Sequence, residues 1–130
     1  MNYTEDAGII VEITRKLLNS IAQKDWTTYN NLCDPNLTCF EPEGKSSLIV
    51  GLDFHKYYFE NLSSNNAQTT IANPVVRFLG DKQEVAVIAY NRIVQSGKDK
   101  ELHMSYAEET RVWEKKNGRW THVHFHRSKN

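Results

Sequence analysis

Residues 84–95 read "EVAVIAYNRIVQ", and the fold turns on which faces of that segment are buried. As a strand it puts Ala86, Ile88, Tyr90, Arg92 and Val94 on one side and Val85, Val87, Ala89, Asn91 and Ile93 on the other. An antiparallel strand with one wet face alternates apolar and polar residues cleanly. Neither face here is plainly polar, so both are expected to be covered. Two explanations stand side by side: a second copy of the chain packs on the outer face, or the strand is merely central and hydrophobic.

The same pattern extends on both sides. Strands are expected at 69–79, 84–95, 103–114 and 119–127, with turns at Asp81-Lys82, Gly97-Lys98-Asp99 and Asn117-Gly118, the last a strong two-residue hairpin signal. Upstream the period changes. Between residues 7 and 24, Ile10, Ile13, Leu17 and Ile21 recur at helical spacing and predict one long amphipathic helix. Asp25 is a good N-cap for a short second helix through Cys33, which should stop before Pro35. Short extended pieces follow at 37–40 and 48–51, separated by the loop "FEPEGKSS". A third helix is expected over 52–62, where Phe54, Tyr58 and Leu62 form one row and His55 and Phe59 the next. Helices first and an antiparallel meander afterwards make an α+β fold, in one domain spanning 1–130.

Three arginines interrupt the meander. Arg92, Arg111 and Arg127 lie on successive strands, which run about 4.8 Å apart, so on a shared face they converge within reach of one small anion. Converging guanidinium groups need internal carboxylates or an acidic ligand, and Glu109, on the face of Arg111, is one internal candidate.

The C-terminal strand carries His122, His124 and His126 at alternate positions, which predicts one shared face, with Val123, Phe125 and Arg127 on the other. Zinc is set aside for them. Positions i and i+2 stand about 6.6 Å apart on a strand, so all three could not readily meet one metal without a ligand from elsewhere, such as His103 or Glu108.

Composition narrows the function. Sixteen basic residues balance sixteen acidic ones in 130, so the net charge suggests no footprint for nucleic acid or an anionic membrane, and any charge-dependent function must be local. The start, "MNYTEDAGII", is acidic rather than signal-like, no apolar run is long enough to span a bilayer, and a cytoplasmic protein is expected. Cys33 and Cys39 are read as reduced thiols. Phosphate-loop, dinucleotide, zinc-protease and nucleophile-elbow motifs are all missing, and no cofactor is implied.

Collinear segments then carry a resemblance: "CDP" at 33–35, "FEPE" at 40–43, "GLDFHKYYFENL" at 51–62, "TTI" and "NP" within 69–74, "EETRVW" at 108–113 and "VHFHRS" at 123–128. The chain resembles the association, or hub, domain of calcium/calmodulin-dependent protein kinase II. That resemblance implies a cone-shaped fold of the nuclear-transport-factor-2-like (cystatin-like) superfamily, with a long N-terminal helix cradled by a curved antiparallel sheet. It implies a non-catalytic homo-oligomer of two stacked rings that brings kinase subunits together for phosphorylation in trans, with no kinase domain in residues 1–130. It further implies a pocket formed by His55, Arg92, Arg111 and Arg127 that takes a small carboxylate or an acidic regulatory peptide. His122 is the one histidine of the three that the resemblance does not cover, and its replacement is expected to leave ligand binding unchanged. Ser63 stands where animal hubs carry an aromatic residue on a loop over the ligand. The alternative is an isomerase or hydrolase of the same superfamily holding an acidic substrate among those arginines.

Overall fold

The structure, a computed structural model, describes residues 5–61, 67–97 and 101–128. Three helices come first or are interleaved with short strands: α1 (Glu5–Ala22), α2 (Trp26–Leu32) and α3 (Asp53–Asn61). The strands are β1 (Cys33–Phe40), β2 (Ile49–Val50), β3 (Gln68–Leu79), β4 (Val85–Ser96), β5 (His103–Lys116) and β6 (Arg119–Arg127). A 3-10 turn, Pro42–Gly44, follows β1. Lys98 and Asp99 of the expected turn, Leu62 of the helical row and Ser63 of the expected loop lie outside the described residues.

The helical period buries what it should. Ile10, Leu17 and Leu18 of α1 are fully enclosed, and Glu5 and Asp6 occupy its first turn, where carboxylates oppose the positive end of the helix dipole. Thr14 donates to the Ile10 carbonyl (2.8 Å) and accepts from the Trp113 indole (3.1 Å), tying α1 to the sheet. Asp25 caps α2 by accepting from the Thr28 amide (3.2 Å) and hydroxyl (2.6 Å).

The chain is already extended at Cys33, so α2 ends one residue sooner than expected and β1 begins at Cys33 rather than at 37. Pro35 sits inside that strand. It is tolerated because the register of β1 against β6 breaks between Cys33 and Thr38, where no ladder bond is asked of the proline nitrogen.

The sheet has six strands in the order β2-β1-β6-β5-β4-β3. Strands β3 to β6 form the expected antiparallel meander, whose last hairpin turns at Asn117 and Gly118, both with positive φ (51° and 76°), as a two-residue turn of the right twist requires. The sequence reading had four strands here. β1 extends the sheet by pairing with β6 in parallel, and β2 then adds to β1.

Two irregularities re-aim side chains. In β3 the register against β4 slips between Ala72 and Val75, at Asn73. In β6, Val112 pairs with His124 but Trp113 pairs with His122, so Val123 is an extra residue, a bulge. The three histidines therefore do not share a face, contrary to expectation. His122 turns inward with Phe125, Arg111 and Trp113, whereas His124 and His126 stay on the opposite side with Val112 and Thr110.

Ala86, Ile88, Tyr90 and Arg92 of β4 face the core beneath the helices and are buried. Among the described residues no helix covers the other face of the meander. There Val75, Leu79, Met104 and Tyr106 are exposed and Val87 and Ile93 half-buried, an apolar surface of the kind the sequence implied. Among the described residues no helix is long and apolar enough to cross a membrane.

Candidate functional site

A cavity of about 220 Å³ opens between α3, the end of the helical hairpin and the inner face of the sheet. All four residues singled out in the sequence line it: His55 from α3, Arg92 from β4, Arg111 from β5 and Arg127 from β6. Tyr58, Phe59 and Phe125 supply an apolar wall, and Glu41 and Glu43 lie at the arginine end.

The floor is an ion cluster centred on Glu109. One of its oxygens accepts from Arg92 Nη1 (3.0 Å), the other from Arg111 Nη2 (3.0 Å) and from the Tyr90 hydroxyl. Burial penalises this carboxylate, yet Arg111 and Arg92 outweigh the penalty and hold it down at about 2. Arg111, 1% exposed, donates also from Nε to Tyr90 (2.8 Å) and lies over the Phe125 ring at 4.3 Å. Burial opposes its charge, but Tyr90 and Glu109 raise its pKa, so it stays a cation. The expected internal partner Glu109 thus serves two arginines at once.

The rim is less settled. Arg127 binds the Glu43 carboxylate and stands 3.9 Å from Glu41. The Nε atoms of Arg92 and Arg127 are buried without a hydrogen-bond partner among the described residues, a costly state for a donor. Glu41 is pushed up to about 7 by burial and by Glu43, against the pull of Arg127 and Arg111. Glu41 and Glu43, in the loop segment "FEPE", were not singled out as site residues in the sequence; the "E-P-E" spacing across a turn was the available signal.

His55 has Nε2 3.6 Å from Cys39 Sγ and Nδ1 3.7 Å from Glu41. Burial, and then Arg111, lower it to about 4, so it is neutral at physiological pH. The ligand atoms of Cys39, Glu41 and His55 fall within 4.8 Å of one another. The imidazole stands between its neighbours with a different nitrogen toward each, and the Cys39 thiol is pushed up to about 12, chiefly by burial. The imidazole thus sits between the two groups rather than converging with them on one point, because a metal would take only one of its two nitrogens.

The sequence reading set His122 aside, and the structure places it directly behind the site. Arg111 Nη1 donates to His122 Nε2 (3.3 Å), which assigns the proton to Nδ1, facing Cys33 Sγ at 3.5 Å. Burial and Arg111 depress its pKa and keep it neutral. No sequence signal marked it, because the inward turn depends on the bulge at Val123.

Comparison with known proteins gives this cavity its context. The family model described as the calcium/calmodulin dependent protein kinase II association domain matches residues 6–130. The chain is 47% identical over 123 residues to the alpha chain of calcium/calmodulin-dependent protein kinase type II of Drosophila melanogaster, covering 92% of this chain but 23% of that protein. Among solved structures, the kinase II hub homology domain of Chlamydomonas reinhardtii is 43% identical, with a TM-score of 0.89 over 97% of this chain and 99% of that one. A nuclear-transport-factor-2-like protein from Cytophaga hutchinsonii, 14% identical with a TM-score of 0.77 over 98% of this chain and all of that one, shares the fold. The matched region is the non-catalytic hub part of those kinases, and the isomerase or hydrolase alternative falls away with it. With its long helix against a six-stranded sheet and its match along nearly the whole length, the chain belongs to the calcium/calmodulin-dependent protein kinase II association-domain family, on a nuclear-transport-factor-2-like fold.

Proposed function

We propose that this chain is a self-association module that builds two stacked rings and clusters calcium/calmodulin-dependent kinase subunits so that they phosphorylate one another in trans. Clustering acts by raising the effective concentration of attached partners, with no new contact to them. The observation that carries the reading is the uncovered apolar face of the meander, Val75, Leu79, Met104 and Tyr106, on a chain whose inner face already lies beneath its own helices. A second copy is the partner that surface fits. The setting is cytoplasmic, in keeping with two buried free thiols, Cys33 and Cys39.

The cavity is the module's ligand site, with His55, Arg92, Arg111 and Arg127 receiving the carboxylate of a small molecule or of an acidic regulatory peptide. The buried Nε donors of Arg92 and Arg127, both without a partner among the described residues, support this, since each is a cationic donor that lacks an acceptor. Light scattering with size separation at micromolar subunit concentration tests the assembly. A closed ring doubled by two-fold contacts gives a species of roughly a dozen subunits or more, whereas a monomer or simple dimer refutes the proposal.

A further inference from the structure

Among the described residues Glu41 is the one acid lining the cavity that no hydrogen bond holds. Its side chain is 10% exposed, and its oxygens stand 3.7 Å from His55 Nδ1 and 3.9 Å from Arg127 Nη2, both beyond hydrogen-bond length. Arg127 Nη2 is instead occupied by Glu43, from the 3-10 turn. An acid anion drawn to Arg127 would therefore become the third carboxylate around a single guanidinium. Carboxylates crowded in this way cannot all stay ionised.

We propose that Glu41 takes up one proton when a carboxylate ligand binds and donates it in a hydrogen bond to that ligand, so that the site captures the anion together with a proton. The inference rests on the reading of the cavity as a carboxylate site. Every other group facing Glu41 is a poorer acceptor. Glu109, on β5, is locked between Arg92 and Arg111. Glu43 is bound to Arg127 and 34% exposed on its side chain, where water screens it. His55, on α3, is kept neutral by burial and by Arg111, although it is the second residue able to gain a proton. Cys39, on the same strand segment, already holds its proton, and so does Tyr29 in α2, whose pKa burial pushes up. Lys24 and Arg92 contribute positive charge at the wall and cannot serve. Glu41 alone is poised, about 7 before any ligand arrives, and a nearby anion moves it further up.

The sign follows from linkage. A ligand that raises the pKa of Glu41 binds tightest where Glu41 is already protonated, and loses affinity as pH rises through 7. The test is titration calorimetry of the whole assembled protein with benzoate and with butyrate, both fully ionised from pH 6 to 8, in paired buffers of different ionisation enthalpy. Wild type is expected to bind about tenfold more weakly at pH 8 than at pH 6 and to take up close to one proton per ligand at pH 8. Glu41→Gln, whose amide copies the protonated acid, is expected to keep its pH 6 affinity at pH 8 and to take up none. Affinity that stays level from pH 6 to 8 in wild type, or proton uptake that persists in Glu41→Gln, overturns the proposal while leaving the carboxylate site standing. Absence of binding by wild type at pH 6 overturns both.

Discussion

Arg111 Nη1 lies 3.3 Å from His122 Nε2, with both side chains buried and the imidazole held as the Nδ1–H tautomer. A residue read from sequence as a bystander is thus the back support of the guanidinium at the centre of the site. His122 is also stacked on Phe125 (5.6 Å) and packed on Trp113 (5.1 Å), so it fills core volume as well.

Replacing it removes an acceptor from a buried cation and leaves a cavity. His122→Ala is expected to destabilise the fold by about 2–4 kcal/mol, the range for a lost partner plus a large-to-small core change. His122→Asn, which keeps an acceptor, should lose less. Chemical denaturation at fixed subunit concentration measures both, and equal stability of His122→Ala and wild type would contradict the role.

Glu109 predicts an acid limb of stability. Its carboxyl is depressed to about 2 from the ordinary 4.5, so its contribution is complete above pH 4.5 and disappears as pH falls through 2. Glu109→Gln should remove most of that pH dependence and, by leaving two buried arginines short of a counter-charge, cost about 3–5 kcal/mol at neutral pH. Thermal melting from pH 2 to 7 is the check. An acid limb that survives unchanged in Glu109→Gln would assign it elsewhere.

The sequence carried the repetitive features and missed those made by a single contact between distant residues. The 3.6-residue period of Ile10, Leu17 and Ile21 gave α1, and Asn117-Gly118 gave the last hairpin with β6 at its observed bounds. Arg92, Arg111 and Arg127 stood out because arginines in mid-strand are anomalies that need an explanation, whereas His55 came only from the resemblance; the structure brings the four to one cavity. The parallel pairing of β1 was not legible, since it joins Cys33 to His122 across most of the chain and leaves no local signature. Nor was the bulge at Val123, which has neither glycine nor proline to mark it. A one-residue slip reverses every side chain beyond it, and that is why His122 was assigned to the wrong face.

The arginines should divide by task. Arg127 is 23% exposed on its side chain and bound to Glu43 at the rim, whereas Arg111 is enclosed with each of its three nitrogens hydrogen-bonded. Arg127→Gln is expected to weaken benzoate binding by about tenfold or more, the loss of one charge-assisted hydrogen bond, with a melting temperature close to wild type. Arg111→Gln should weaken binding and unfold at lower temperature as well, because it strands Glu109 and His122. Calorimetry paired with melting separates the two. Equal benzoate affinity for Arg127→Gln and wild type would remove Arg127 from the site.

The outer face of the meander makes the last prediction. Tyr106 is 55% exposed, pairs with Ile93 across the β4–β5 ladder, and points away from the cavity in company with Met104. A glutamate there faces water in an isolated subunit at little cost, but would be buried without a partner if a second copy covers the face. Tyr106→Glu is therefore expected to yield a smaller species than wild type at the same subunit concentration, with an unchanged far-ultraviolet circular dichroism spectrum. Lys56→Glu, on the exposed side of α3, serves as the control for a charge change elsewhere and should leave the mass alone. A Tyr106→Glu protein that keeps the wild-type mass would show that this face stays open in the assembly, and the contacts that build it would then have to come from the helical side.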